Sequence, residues 1–341
     1  MSTVDVAAFA RALPKVELHV HLVGSASVPT VLSLASRHGA VTVPSDPAEL
    51  AEYYRFRDFA HFVDIYATVN ALVTTPADVT DLVVGLARDA AAGGVRYAEV
   101  TVTPMSHVHV GMDPAAVADA LLEGRERAAA EFGIELGWIF DTAGELGVEN
   151  AWDTLDWVLK YRPEGTVGYG LAGPEIGIGR ALFTRPFTVA REAGLHSLPH
   201  AGETTGPATV WSALTDLGAE RIGHGIHAVT DPRLLDHLAE HRIPLEVCPT
   251  SNVRTGAVPS MEAHPLPRLL QWGVPVSLNT DDPGMFDCDI AGEYVVAHEA
   301  FGLTPAELAQ IARTGVDAAF CSPELKRTLH EEIDALALPE I

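Results

Sequence analysis

The chain has 341 residues, 48% of them hydrophobic and 20% charged, with a formal net charge of -24. That length suits an α/β barrel, and the apolar content implies a large buried core and not a disordered chain. The acidic surplus argues against a nucleic-acid backbone or an anionic membrane surface as partner. Cys248, Cys288 and Cys321 are odd in number and widely spaced, so no disulfide framework is expected. The N-terminal stretch carries no cleavable leader pattern, and no apolar run reaches the ~18 residues of a membrane helix. A soluble, cytoplasmic protein is the expectation.

In chain order, β-rich apolar runs occur at Val16–Leu22, Val95–Thr103, Ile134–Phe140, Thr166–Ala172, Leu195–His200, Arg221–Gly225, Ile243–Cys248 and Val274–Asn279. Between them lie helical patterns such as Asp78–Ala92, Pro114–Phe132 and Trp152–Tyr161. Eight strand–helix alternations predict an α/β fold of the (β/α)8 TIM-type barrel, with parallel strands buried on both faces. A doubly wound sheet would need a Gly-rich phosphate turn after the first strand, and VELHVHLVGS does not supply one. With no repeat and no linker, residues 1–341 read as one domain. Residues 41–75 form a helical insertion after the first strand, whose aromatic spacing in YYRFRDFAHFVDIY fits either a packed helix or a lid over the barrel mouth.

His19 and His21 are two apart on the first strand, so both imidazoles project from one face. A second pair, His107 and His109, follows Pro104 and reads as loop or rim. Partners for the first pair stand at later strand ends: His200 and Glu203 in HAGE, His224 in IGHG, Asp281 and Asp282 in NTDDP. Barrel enzymes carry their chemistry at such C-terminal strand ends. Three histidines and one carboxylate, His19, His21, His200 and Asp281, suit one divalent transition metal, with Zn2+ the best fit. A further coordination position would take water. Glu203 is close enough to a ligand to shuttle protons, His224 is placed as a base that orients the attacking oxygen, and Asp282 is placed to hold a substrate nitrogen.

The set VELHVH, LAGPE, HAGE, RIGHG, CPTSN and SLNTDDP, in this order from Leu13 to Phe286, resembles the adenosine deaminase family of the amidohydrolase superfamily. The other zinc deaminase design, H-x-E with P-C-x-x-C, is absent, as is a strand-four lysine that would bridge two metals. The resemblance implies hydrolytic loss of the 6-amino group of an adenine nucleoside. Glu203 would protonate N1, Asp282 would bind N7, the backbone N–H of Gly173 would contact N3, and His224 with Asp281 would orient the water that adds to C6.

Two positions depart from the family pattern. An acidic residue usually follows H-x-H-L and holds the ribose 5′-hydroxyl, whereas this chain has Val23. That change points to a substrate without a free 5′-hydroxyl and resembles the branch acting on 6-aminodeoxyfutalosine, on the futalosine route to menaquinone. The alternatives are an adenosine deaminase of purine salvage and a non-catalytic nucleoside-binding family member. Arg55 or Arg57 would suit a substrate carboxylate. In strand four, Gly170 and Pro174 replace the family's usual acidic residues, which bears on the polar network of that side and on the sugar pocket.

Overall fold

A computed structural model describes residues 5–338. Eight strands run in parallel in the order of the sequence: β1 (Lys15–His21), β2 (Val95–Val102), β3 (Glu135–Ala143), β4 (Thr166–Ala172), β5 (His196–Ala201), β6 (Ile222–His224), β7 (Leu245–Val247) and β8 (Val276–Leu278). The ring closes where the chain beyond β8 returns to β1. His21 N–H donates to Asp281 O at 2.8 Å and Asp281 N–H to His19 O at 3.0 Å, while Asn279 Oδ1 accepts from Leu18 N–H at 2.8 Å. The eight-stranded (β/α)8 barrel is thus as the alternation predicts, and the strand ends that carry the polar residues gather at one mouth.

The helices between strands start on sequence signals. Thr75 and Asp78 form a reciprocal cap on Pro76–Ala92, and Asp113 accepts from two backbone N–H groups at the start of Pro114–Phe132. The first of these begins two residues before the run read from periodicity, because Pro76 at the first helical position is already part of it. Residues 41–75 hold two helices, Pro47–Tyr53 and Phe59–Asn70. Phe62 of the second sits 5.2 Å, centroid to centroid, from Phe286, which follows the last strand. Among the described residues, no helix is long and apolar enough to cross a membrane.

Opposite the mouth, Lys15 is wholly buried, and its Nζ donates to Ala10 O, Leu13 O and Gly93 O at 2.6, 2.7 and 2.7 Å. One ammonium therefore ties the N-terminal helix Val6–Ala12, the start of β1 and the turn into β2. Lys15→Met would leave three buried carbonyls without donors. It is expected to lower stability by on the order of 3 kcal/mol, read as a shift in the urea midpoint; an unchanged midpoint would refute the role given to this contact.

Candidate metal and catalytic site

His19 and His21 extend from β1, His200 from β5 and Asp281 from the segment after β8. One ligand atom from each lies within 4.8 Å of the others. His21 Nε2 is 3.3 Å and His19 Nε2 3.5 Å from Asp281 Oδ1, and His21 Nε2 approaches His200 Nε2 to 3.2 Å. His19 Nε2 is buried and has no hydrogen-bond partner. Buried nitrogens converging on a carboxylate oxygen, one of them without a partner, are the donor set of a divalent transition metal. The residues fit such an ion.

Asp281 reaches this position with φ +67, and His224 has φ +60. Both are left-handed conformations that non-glycine residues rarely adopt, found here where the backbone aims a functional side chain. Around the cluster, Glu246 on β7 accepts from His19 Nδ1 at 2.8 Å. Its other oxygen meets Arg221 Nε at 2.5 Å, and Arg221 Nη2 meets Glu99 at 2.5 Å. This buried chain of charge holds the His19 ring with Nε2 toward the cluster, a role typical of partners behind metal-binding histidines. Glu246→Gln is expected to weaken zinc binding ~10- to 100-fold, measured by competition with a chromogenic chelator. Unchanged affinity would show that His19 needs no such anchor.

Glu203 stands on the turn after β5, 5% exposed. Its backbone N–H donates to Glu175 at 2.8 Å, and Glu175 also takes Gly202 N–H at 2.9 Å and the Thr205 hydroxyl. The polar network beyond strand four is therefore intact despite Pro174, since Glu175 itself builds it. Burial, followed by the charges of Asp281 and Glu175, raises the Glu203 carboxyl to about 8. Burial and the adjacent Asp281 charge likewise push Asp282 well above the usual carboxylate range. Asp282 Oδ1 is buried without a partner. Gly24 of HLVGS allows this approach, because a Cβ there would fall 1.5 Å from Asp282 Oδ1.

His224 lies with Nε2 3.7 Å from Glu203 Oε2 and 3.9 Å from Asp281 Oδ2. Asn252 Nδ2 donates to its Nδ1 at 3.2 Å, and Asn252 Oδ1 is 3.2 Å from His264 Nε2. An amide nitrogen can only donate, so the ring proton sits on Nε2. Burial also lowers this imidazole to about 3. His224 therefore faces the cluster as a neutral ring with its Nε2–H directed toward it.

A cavity of about 250 Å³ brings His21, His200, Glu203, His224, Asp281, Asp282 and Gly173 together. Gly173 enters it with φ +81, a backbone state that favours glycine. Helix Phe59–Asn70 supplies Phe59, Phe62, Val63 and Tyr66 as an aromatic wall. Five residues singled out in the sequence lie outside its lining. Val23 is 5% exposed, packs in the core and does not line the cavity, because the turn after β1 points it inward. Neither Arg55 nor Arg57 lines the cavity, and Arg55 pairs with Glu52 at 2.8 Å in the open. Of the pair read as loop or rim, His107 is buried on the short helix Met105–Val108, His109 stands in the exposed turn that follows it, and neither lines the cavity. Glu246, Arg221, Ser251 (2.6 Å from Asp281 Oδ2), Asn252 and Asp141 went unassigned in sequence, although CPTSN and RIGHG contain three of them.

Fold and site together define a metal-binding (β/α)8 barrel of the amidohydrolase type. The chain belongs to the adenosine deaminase family: the family model described as "Adenosine deaminase" matches residues 14–336. It is 52% identical over 332 residues to an aminodeoxyfutalosine deaminase of Streptomyces coelicolor, covering 97% of this chain and 86% of that protein. Among solved structures it resembles an adenine deaminase from Arthrobacter aurescens, with TM-score 0.91, 32% identity, and 94% and 98% of the two chains covered. It also resembles a zinc-bound amidohydrolase from Burkhoderia ambifaria, with TM-score 0.89, 29% identity, and 98% and 94% covered.

Proposed function

We propose that the chain is a zinc-dependent aminohydrolase that converts 6-aminodeoxyfutalosine and water to futalosine and ammonia, a step toward menaquinone. The carrying observation is one cavity that joins the four-donor cluster to two buried acids, Glu203 and Asp282, and an aromatic wall. Its described lining holds no lysine or arginine, so a 5′-phosphate finds no partner there. The relatives named above support the same reading.

His19, His21, His200 and Asp281 would hold one zinc ion. When bound, the metal supplies the Lewis acidity that makes water nucleophilic near neutral pH. His224 Nε2–H and the Asp281 carboxylate orient the attacking oxygen at C6. Protonated Glu203 donates to N1 as negative charge develops in the ring. Protonated Asp282 donates to N7, and Gly173 N–H meets N3. One proton of the water passes to the amino group and the other restores Glu203; the C6–N bond then breaks, ammonia leaves, and the 6-oxo purine keeps on N1 the proton that Glu203 gave.

At the 5′ end, the aromatic residues Phe59, Phe62 and Tyr66 receive the aryl extension. The decisive experiment is kcat/KM for 6-aminodeoxyfutalosine, 5′-deoxyadenosine and adenosine on zinc-loaded protein, followed by loss of adenine absorbance. Adenosine as the best substrate would return the enzyme to purine salvage, and binding without turnover would make it a nucleoside-binding protein. Phe59→Ala is expected to lower kcat/KM for the aryl substrate ~10-fold more than for adenosine. An equal loss on both would remove the aryl group from this wall.

A further inference from the structure

One carboxylate of the cavity has no part in the chemistry above. Asp141, near the end of β3, is 1% exposed and lines the same cavity as His21 and Asp282. Thr103 Oγ1, just past β2, donates to its Oδ1 at 2.5 Å. Among the described residues no hydrogen bond reaches its Oδ2. The neighbouring strand makes room for this side chain: Asp141 pairs in register with Gly170, and a Cβ on Gly170 would come 3.1 Å from Asp141 Cβ. The acid missing from strand four thus stands one strand over.

Asp141 Oδ2 opens on the cavity, where a carboxylate oxygen accepts from a ligand that brings O–H groups. On the proposed nucleoside, the ring nitrogens are already matched to Glu203, Asp282 and Gly173. What remains as an O–H donor pair beside the base is the vicinal diol of the ribose. Glu145, the other carboxylate of the lining without a role, stands at its exposed rim.

We propose that Asp141, held by Thr103, binds the ribose 2′,3′-diol and makes the site selective for ribonucleosides. This rests on the reading of the cavity as a nucleoside site. The test is calorimetric binding of inosine, 2′-deoxyinosine and 3′-deoxyinosine to zinc-loaded wild type, Asp141→Asn and Asp141→Ala, with zinc content and melting temperature measured for each. Wild type is expected to bind inosine on the order of 10- to 100-fold more tightly than the deoxy ligands. Asp141→Ala should bind all three within about 3-fold. Asp141→Asn, which keeps the Thr103 contact and the shape of the site, should show a reduced preference, because a neutral partner bonds hydroxyls more weakly. Its result decides the matter if the alanine variant does not fold.

Equal binding of the three ligands by wild type would overturn the proposal, as would a full preference retained in the asparagine variant. Loss of zinc in that variant, with the preference kept by the loaded fraction, would also overturn it and make Asp141 a positioning residue for His21. The ligands are products, so no turnover is needed. A protein with Asp141-dependent inosine binding that deaminates no adenine nucleoside would refute the proposed function and uphold this inference.

Discussion

Glu203→Gln is expected to bind zinc like the wild type and to turn over about 10²- to 10⁴-fold more slowly, the usual contribution of a positioned proton donor. Glutamine keeps the shape of the side chain and its 3.3 Å contact with Thr255, but it has no proton to give. The loss should fall on kcat, with KM little changed, because N1 gains its full bond only as charge develops. The carboxyl titrates at about 8 in the metal-free site. The donor form is the protonated one, so wild-type activity falls as pH rises through this value. A cation in the cluster favours the carboxylate, which moves that limb to lower pH. The glutamine variant should show no such limb. Full activity in Glu203→Gln, or an alkaline limb that persists in it, would remove Glu203 as the donor.

Removing the metal should abolish turnover by more than about 10³-fold and restore it on adding Zn2+. It should also loosen the fold, because a ligand at 1,000 times its Kd adds about 4 kcal/mol of stability. The melting temperature of chelated protein is the second readout. Activity that survives chelation, with the metal shown absent by elemental analysis, would dissolve the assignment of His19, His21, His200 and Asp281 as ligands. A melting temperature that ignores zinc would show that the four donors are already held by the protein alone.

The barrel was legible because its strands are continuous apolar runs separated by capped helices, two patterns with different periods. Strand ends were less so. The runs Arg221–Gly225, Ile243–Cys248 and Val274–Asn279 each shrink to three residues, Ile222–His224, Leu245–Val247 and Val276–Leu278. In those places flanking residues leave the ladder for other work. His224 and Gly225 turn left-handed, Cys248 caps the helix Pro249–Arg254, and Asn279 spends its side chain on Leu18. The cluster of His19, His21, His200 and Asp281 could be read because histidine and aspartate at the ends of apolar strands have little other use. Glu246 and Arg221 could not, since a lone charge inside a strand looks the same whether it orients a ring or closes a core. The stripe Phe59, Phe62, Tyr66 packs Phe62 against Phe286 and lines the cavity with all three. Val23 shows the converse: a departure visible in sequence said nothing about where the side chain points.

The seam between the first strand and the segment after the last has a consequence for synthesis. His19 and His21 leave the ribosome early, whereas Asp281, bonded to their backbone in the finished barrel, follows some 260 residues later. Until then a nascent chain offers a metal two imidazoles on an unclosed strand, and His200 only after five strands exist. Selective capture must therefore wait for nearly the whole chain. A polypeptide cut short before the eighth strand lacks both its closing edge and the carboxylate of its ligand set.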